Sequence, residues 1–233
     1  MTDKKTALFL AINNMREEVA ALGRDLFSYP ELGFKEEKTA EIIMKELEQL
    51  GVPYQSGISH TGIVASIGAD EGYHIAVAAD MDALPRKDAK GFIHSCGHSI
   101  QVTDALSVLK ALVLTNALQD VAGKVSFIFT PAEEFIDFPY RDELIRQGRI
   151  GFRSGKQDMI AKGVFDQIDC VLSAHANADQ GTRFDIGSTL TGFTVKRYLF
   201  SGQASHSGVA PHLGINALHG ATLSLNALSF LKE

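Results

Sequence analysis

The sequence contains no tryptophan, only two cysteines and only six prolines among its 233 residues. Two cysteines do not make a disulfide framework, and such sparing use fits a reducing compartment, which predicts a cytoplasmic protein. No apolar run approaches the roughly 18 residues that a membrane-spanning helix needs. The opening residues, MTDKKTALFL, contain no long apolar core and no small-residue cleavage site, so we expect no signal peptide.

The chain also lacks an excess of positive charge. Lys and Arg number 22 against 28 Asp and Glu, which gives a formal net charge of −6, and no run of basic residues occurs. This balance argues against nucleic acid and anionic membranes as partners. With 45% hydrophobic and 21% charged residues, the composition is that of an ordinary globular protein and excludes disordered and collagen-like classes.

Helical segments alternate with short apolar segments along most of the chain. Two helices are predicted within the first 50 residues, and a longer one over residues 103–118. The predicted strands are apolar and β-rich, and the last two read as buried; they cover residues 62–67, 74–79, 124–130 and 169–174. A short helix is expected at residues 158–162. Such alternation predicts an α/β fold with helices on both faces of a sheet.

The pattern changes near Gly187. Residues 191–201 alternate apolar and polar side chains, as a half-exposed strand does, and residues 213–231 read as an amphipathic helix. One strand and one helix cannot bury a core by themselves. We therefore expect residues 1–186 to belong to a first domain and residues 187–233 to begin a second one, whose remainder is either absent or supplied by another chain.

Polar side chains cluster where the predicted strands end, which is where ligands bind in such sheets. Thiolate, imidazole and carboxylate groups, all of them metal ligands, come together there. The residues are Asp80, Asp82, Cys96, His98, Glu133, Glu134 and His175. Each cluster alone has an ordinary alternative, an inert cysteine, a solvated pair of glutamates or a structural histidine. Their coincidence at one end of the sheet favours a metal site.

Adjacent glutamates suit metal-dependent hydrolysis. One carboxylate can bind the metal while its neighbour takes a proton from a metal-bound water and later gives it to the leaving amine. The sequence has no GxSxG elbow, no Gly-rich phosphate loop after a strand and no CxxC pair. We therefore favour hydrolysis of an amide by a metal-bound hydroxide over redox or nucleophilic chemistry.

Six stretches together carry a family resemblance that spans nearly the whole chain. They are RDLFSYPELGFKEEKTAE (24–41), AADMDALP (78–85), HSCGH (94–98), GKVSFIFTPAEE (123–134), AHA (174–176) and FSGQASHSGVAPH (200–212). The chain resembles the dinuclear metal amidohydrolases of the aminoacylase and carboxypeptidase-G superfamily, in the branch of hippurate hydrolase and indole-acetyl-amino-acid hydrolase. The resemblance implies a zinc-peptidase-like three-layer α/β/α catalytic domain, followed by the start of a ferredoxin-like α+β lid.

The resemblance also implies a role for each matching residue. Cys96 would bridge two divalent metal ions, Zn or Mn in the first place and Co or Ni otherwise, with further ligands in His98, Glu134 and His175. Glu133 would be the general base and acid, and Asp82 would orient a ligand. In dimeric relatives the residue matching His206 reaches a neighbouring subunit's site, which implies a homodimer formed through the lid. The implied substrate is a small N-acyl or aroyl amino acid.

Three departures from the family pattern accompany this resemblance. Ser99 and Gln101 stand where the branch usually has Asp and His. Residues 135–156 form a longer charged insertion that could reshape the pocket rim, and within it residues 141–149 read as a solvated helix surface. Relatives return from the lid to complete the catalytic domain and supply a last histidine ligand, which these residues lack. A non-catalytic fragment, or half of an enzyme completed by a second polypeptide, is therefore the alternative to an active hydrolase.

Overall fold

The computed structural model describes residues 2–88, 90–176, 186–187, 189, 192, 194 and 196–231. The chain divides into two units, Met1–Ala178 and Asp179–Glu233. In the described part of the chain, no helix has both the length and the apolar character needed to cross a membrane.

The first unit contains six helices and seven strands among its described residues. In chain order they are α1 (Thr2–Asn14), α2 (Arg16–Ser28), α3 (Glu37–Gln49), β1 (Tyr54–Ile58), β2 (Gly62–Gly68), β3 (Tyr73–Asp80), β4 (Leu84–Pro85), β5 (Phe92–Ile93), α4 (His98–Leu114), β6 (Gly123–Thr130), α5 (Phe138–Arg146), α6 (Gly155–Ala161) and β7 (Cys170–Leu172).

Five strands form one mixed sheet in the order β1-β2-β6-β3-β7, and β4 and β5 form a separate two-stranded ribbon. The central strand β6 runs antiparallel to β2 and parallel to β3. Its register with β3 extends over eight residue pairs, from Tyr73 opposite Gly123 to Asp80 opposite Thr130. The carboxyl ends of β3 and β6 therefore lie side by side.

Side chains on β6 alternate between two hydrophobic clusters. Phe127 and Phe129 are fully buried in the larger cluster, to which α2, α3 and α4 contribute. Ile128 points to the opposite face, where it packs with Ala76 of β3 and Met159 of α6. The sheet is thus covered by helices on both faces, and the predicted three-layer α/β arrangement is confirmed.

The end of α3 shows how local sequence defines these elements. Ile42, Ile43 and Leu47 lie on one buried face of the helix, at helical spacing. Gly51 then adopts a left-handed conformation with φ of 65°. The amide of Val52 donates to the Leu47 carbonyl at 3.0 Å, which closes the helix end.

Two local predictions differ from the structure. The helical pattern near the amino terminus is split by a turn at Met15 into α1 and α2. The strand predicted as buried over residues 169–174 is the shorter β7, and all three of its residues are exposed. β7 is exposed because it forms the edge of the sheet and pairs only with β3 among the described strands.

The second unit contains a 3-10 turn (Pro211–Leu213) and the helix α7 (Ala217–Ser229). The Asn216 side chain caps α7 by accepting a hydrogen bond from the Leu218 amide at 2.9 Å. The helix predicted over residues 213–231 is thus present with shorter bounds. Of the strand predicted at residues 191–201, residues 191, 193 and 195 lie outside the described part, and residues 196–201 are not in a strand.

Candidate metal centre and active site

The polar residues expected at the strand ends do converge there. β3 ends at Asp80, and Asp82 follows it; β6 ends at Thr130, and Glu133 and Glu134 follow within four residues. Because β3 and β6 are parallel neighbours, these segments leave the sheet side by side. The Thr130 hydroxyl donates to Asp80 Oδ1 at 2.6 Å, which joins the two strand ends directly.

Cys96, His98 and Glu134 form the tightest cluster of potential metal ligands. Their ligand atoms lie within 4.8 Å of one another, and no other such group of three occurs among the described residues. Cys96 Sγ donates to Glu134 Oε1 at 2.6 Å, so a proton now lies between two groups that could share a cation. Thiolate, imidazole and carboxylate together suit zinc and similar divalent ions.

The orientation of His98 supports this interpretation. Its Nδ1 lies 2.8 Å from the Asp82 carbonyl oxygen and 3.1 Å from Asp82 Oδ1, so Nδ1 carries the proton. Nε2 is buried and has no hydrogen-bond partner in the described part of the chain. A buried unpaired nitrogen is costly unless something binds it. Because a carboxylate fixes the other ring nitrogen, Nε2 is the nitrogen left to bind a cation once its own proton is displaced, as in metal-binding histidines.

Asp82 connects two of the three candidate ligands. While Oδ1 faces His98, Oδ2 accepts a hydrogen bond from the Glu134 amide at 3.0 Å. Burial opposes a charged imidazole, but the hydrogen bond and negative charge of Asp82 outweigh it and raise the pKa of His98 to about 9. A cation at Nε2 would displace the proton that Nε2 carries in the charged ring, because metal binding requires the neutral ring.

The Cys96 thiol is held in its neutral form. Burial, and then the hydrogen bond and charge of Glu134, raise the pKa of Cys96 to about 12. A thiolate is the form that binds metal, and a nearby cation favours it strongly. Metal and protons therefore compete for the same group of side chains.

Glu133 lies beside the cluster and is more accessible. Its Oε2 is 3.9 Å from His98 Nε2, and its side chain is 36% exposed, whereas His98 is buried. Burial raises the pKa of Glu133, although the positive charge of Lys156 opposes the rise. A carboxyl group whose pKa is shifted toward neutrality suits proton transfer.

The two remaining predicted histidines differ in position. The His175 ring lies 5.9 Å from the His98 ring in an edge-to-face arrangement, outside the cluster of three. It is exposed, and its Nδ1 lies 2.8 Å from the Ala176 carbonyl. His206 belongs to the second unit, where its Nδ1 accepts a hydrogen bond from the Gly208 amide at 3.2 Å.

Sequence reasoning missed two buried residues next to this cluster. Glu36, at the start of α3, is fully buried; it accepts hydrogen bonds from the Ala132 amide at 2.8 Å and the Thr61 hydroxyl at 2.5 Å. Gln101, which the sequence marks only as a departure from the family pattern, accepts a hydrogen bond from the Asp80 amide at 2.8 Å. From the sequence, Glu36 is only an acidic residue that precedes a helix, and this pattern is common on protein surfaces.

The interpretation of residues 141–149 as a solvated surface is wrong for Arg141. This arginine is fully buried, and its guanidinium donates to the carbonyls of Ala132, Glu134 and Arg153. Burial lowers the pKa of Arg141, while the charges of Asp82 and Glu36 oppose the shift. In the sequence Arg141 lies among charged neighbours. No local pattern distinguishes an arginine that binds backbone oxygens from one that is exposed to solvent.

We expect substitution of Glu36 to change how stability depends on pH. Burial and the charge of Asp82 raise the pKa of Glu36 from 4.5 to about 7. The folded chain then binds a proton that the unfolded chain has lost, so stability falls as pH rises from about 4.5 to about 7. Ionising Glu36 in the folded chain lowers the free energy of unfolding by about 3 kcal/mol. Glu36→Gln of the metal-free protein should therefore gain about 3 kcal/mol relative to wild type between pH 4.5 and pH 8 in urea unfolding.

Glu48→Gln is the control for this prediction, because Glu48 is exposed on the same helix. It should leave the difference from wild type constant with pH. A Glu36→Gln difference that stays constant between pH 4.5 and pH 8 would contradict the assigned shift.

Comparison with known proteins places this geometry in a family. The model of peptidase family M20/M25/M40 matches residues 76–225. The N-acyl-L-amino acid amidohydrolase of Geobacillus stearothermophilus is 30% identical over 174 residues, which cover 70% of this chain and 42% of that protein. The chain thus spans less than half the length of that relative.

Solved structures agree with this match. The Bacillus subtilis YXEP protein, described as a dinuclear metal binding peptidase from the M20 family, is 26% identical with a TM-score of 0.54, over 68% of this chain and 42% of that one. An aminobenzoyl-glutamate utilization protein from Klebsiella pneumoniae, 22% identical, shares the fold with a TM-score of 0.58, over 92% of this chain and 57% of that one. The family match covers well over half of the chain, and the protein therefore belongs to peptidase family M20/M25/M40.

Proposed function

We propose that this protein takes part in metal-dependent hydrolysis of the amide bond of N-acyl or aroyl amino acids, or of small peptide-like amides. The observation that carries the proposal is the cluster of Cys96, His98 and Glu134 around a buried imidazole nitrogen that has no hydrogen-bond partner among the described residues. A relative named as an N-acyl-L-amino acid amidohydrolase supports the substrate class.

The proposed site holds two divalent ions, with Zn or Mn as the first candidates. Cys96 would hold both ions, because a thiolate carries the negative charge and the polarizability that two cations can share. His98 and Glu134 would be further ligands, and so would His175, whose ring is 5.9 Å from that of His98. Bound ions would acidify a water molecule and polarise the amide carbonyl.

Glu133 is the proposed general base and acid. Glu133 is adjacent in sequence to a proposed ligand, but its side chain is partly exposed, so a substrate can reach it. In the proposed reaction it takes a proton from the attacking water and then gives a proton to the leaving nitrogen. Asp82 holds His98 and the Glu134 amide in place and takes no direct part in proton transfer.

The second unit is proposed to be the start of a lid, with residues 1–186 as the catalytic part and residues 187–233 as the lid. His206 would steady the substrate carbonyl in the site of a partner subunit, which requires a homodimer formed through the lid. An equilibrium sedimentation measurement would distinguish the dimer from a monomer.

The test is metal binding followed by an amidase assay on this 233-residue chain. We expect the chelator-treated protein to take up Zn²⁺ or Mn²⁺, measured by elemental analysis, and then to release free amino acid from N-acetyl or N-benzoyl substrates. Chelation should abolish the activity, and re-addition of metal should restore it. A folded chain that takes up neither ion at micromolar concentration would refute the proposal.

The assay also separates the alternative. Full metal occupancy without turnover would favour a chain that needs a second polypeptide to complete its site. If activity then appears on adding the segment of a relative that this chain does not cover, this chain is half of an enzyme.

A further inference from the structure

The segment that carries the glutamate pair, residues 131–134, is held by side chains on its amide side. The Ala132 amide donates to Glu36 Oε1 at 2.8 Å, and the Glu134 amide donates to Asp82 Oδ2 at 3.0 Å. Both acceptors are buried carboxyl groups that come from other elements of the fold. The two amides are therefore fixed from outside the segment.

Arg141 holds the same segment on its carbonyl side. One end of its guanidinium donates to the Glu134 carbonyl, and the other donates to the Ala132 carbonyl at 3.4 Å and the Arg153 carbonyl at 2.5 Å. In the described part of the chain no carboxylate forms an ion pair with this guanidinium. Nη1 and Nη2 make three hydrogen bonds, all to backbone oxygens, whereas Nε has no hydrogen-bond partner among the described residues. A lysine cannot reach these three oxygens in the same geometry.

The backbone of this segment needs such support. Ala132 has a φ of 51°, a left-handed conformation that residues with a Cβ rarely adopt. Without its partners the segment would relax toward more favourable backbone angles, and the Glu134 carboxylate would move away from Cys96. Strained backbone of this kind persists only where the surroundings determine it.

The site of the guanidinium is built by the neighbouring loop. A Cβ at Gly33 would lie 2.7 Å from Arg141 Nη2, so only glycine leaves room there. The guanidinium lies 5.5 Å from the centre of the Phe34 ring. Lys35 pairs with Asp137 at 2.6 Å, which ties the loop to the start of α5. The insertion is thus anchored against the loop that precedes α3.

We propose that Arg141 is a positioning residue that, opposite Glu36, fixes the backbone of Ala132–Glu134 and so directs the Glu134 carboxylate toward Cys96 and His98. The insertion after the glutamate pair is then part of the site's scaffold. This inference rests on the proposed function only in taking Glu134 to be a metal ligand.

The experiment compares Arg141→Lys with Arg146→Lys, the same substitution at an exposed position of the same helix. The probe is Co²⁺, whose thiolate charge-transfer and d–d absorption bands report on Cys96 and on coordination geometry. We expect Arg141→Lys to bind Co²⁺ at least tenfold more weakly with altered d–d bands, and Arg146→Lys to match wild type. A merely structural role would lower the melting temperature of the metal-free protein and leave the Co²⁺ affinity of the folded protein unchanged.

Hydrogen exchange of the metal-free wild-type protein gives a second measurement that needs no variant. The Ala132 and Glu134 amides should exchange slowly, because both are bound by buried carboxyl groups. Rapid exchange of these amides, or a folded Arg141→Lys variant with wild-type Co²⁺ affinity and bands, would overturn the inference. If wild type binds no Co²⁺ while both amides are protected, the proposed function fails and the positioning of the segment stands.

Discussion

Replacing Glu133 with glutamine should lower turnover by roughly 10³-fold while leaving the metal content unchanged. Glutamine has the same shape as glutamate but cannot accept the proton of the attacking water. Glu133 makes no hydrogen bond to Cys96 or Glu134 among the contacts described, and its Oε2 is 3.9 Å from His98 Nε2. The cluster of three should therefore survive the substitution. The measurements are kcat for an N-acyl amino acid and metal content by elemental analysis.

The neighbouring position supplies the contrast. Glu134→Gln should lower metal content as well as turnover, because Glu134 contributes the carboxylate that now accepts the Cys96 proton. Glu143→Gln, on the accessible part of α5, should change neither quantity. A Glu133→Gln protein that keeps more than a tenth of its turnover, or that loses its metal, would refute the role assigned to Glu133.

Replacing Asp82 with asparagine should weaken metal binding by about 100-fold. Each oxygen of Asp82 accepts a hydrogen bond, one from the His98 ring and one from the Glu134 amide. The asparagine amide group can accept at only one of these two places and presents its own N–H bonds at the other. Either His98 turns and points a protonated nitrogen at the site, or Glu134 loses its backbone anchor. The affinity for Zn²⁺ is measured by competition with a chromophoric chelator.

Asp70→Asn is the control, because Asp70 is exposed and pairs only with Lys124 among the contacts described. Its affinity for Zn²⁺ should equal that of wild type. Equal affinity in the folded Asp82→Asn protein would mean that the two ligands keep their positions without the carboxylate, which would contradict the role assigned to Asp82.

Much of this arrangement follows from the sequence because it depends on periodicity and on strand ends. Apolar runs locate β3 and β6, and their parallel pairing brings the residues that follow them together. Glu134 belongs to a segment of this kind, whereas Cys96 and His98 lie between β5 and the start of α4, and the structure brings the ligand atoms of all three together. The local pattern needed no knowledge of side-chain contacts.

Glu36 and Arg141 could not be found in this way. Glu36 immediately precedes α3 and Arg141 lies within α5, and charge at such helical positions normally indicates a solvated surface. They are buried because they bind the backbone of residues 132–134; Ala132 lies 96 positions from Glu36 and nine from Arg141. Tertiary contacts of this kind produce no periodic pattern of residue types in the sequence. The exposure of β7 is another such case, since an apolar run does not say whether its strand is central or at an edge.

The eight-pair register between β3 and β6 has a consequence for where the site can be damaged. A slip by one residue would shift the ends of the two strands by about 3.3 Å and turn every side chain of the slipped strand to the opposite face. At the far end of the sheet, a Cβ on Gly68 would lie 2.4 Å from the Gly123 carbonyl oxygen, and one on Gly72 would lie 2.7 Å from that of Ala122. Gly72, roughly 26 Å along the strand from Asp80, therefore helps to hold the alignment on which the meeting of the two glutamates with Cys96 and His98 depends, and Gly68 does the same for the pairing of β2 with β6.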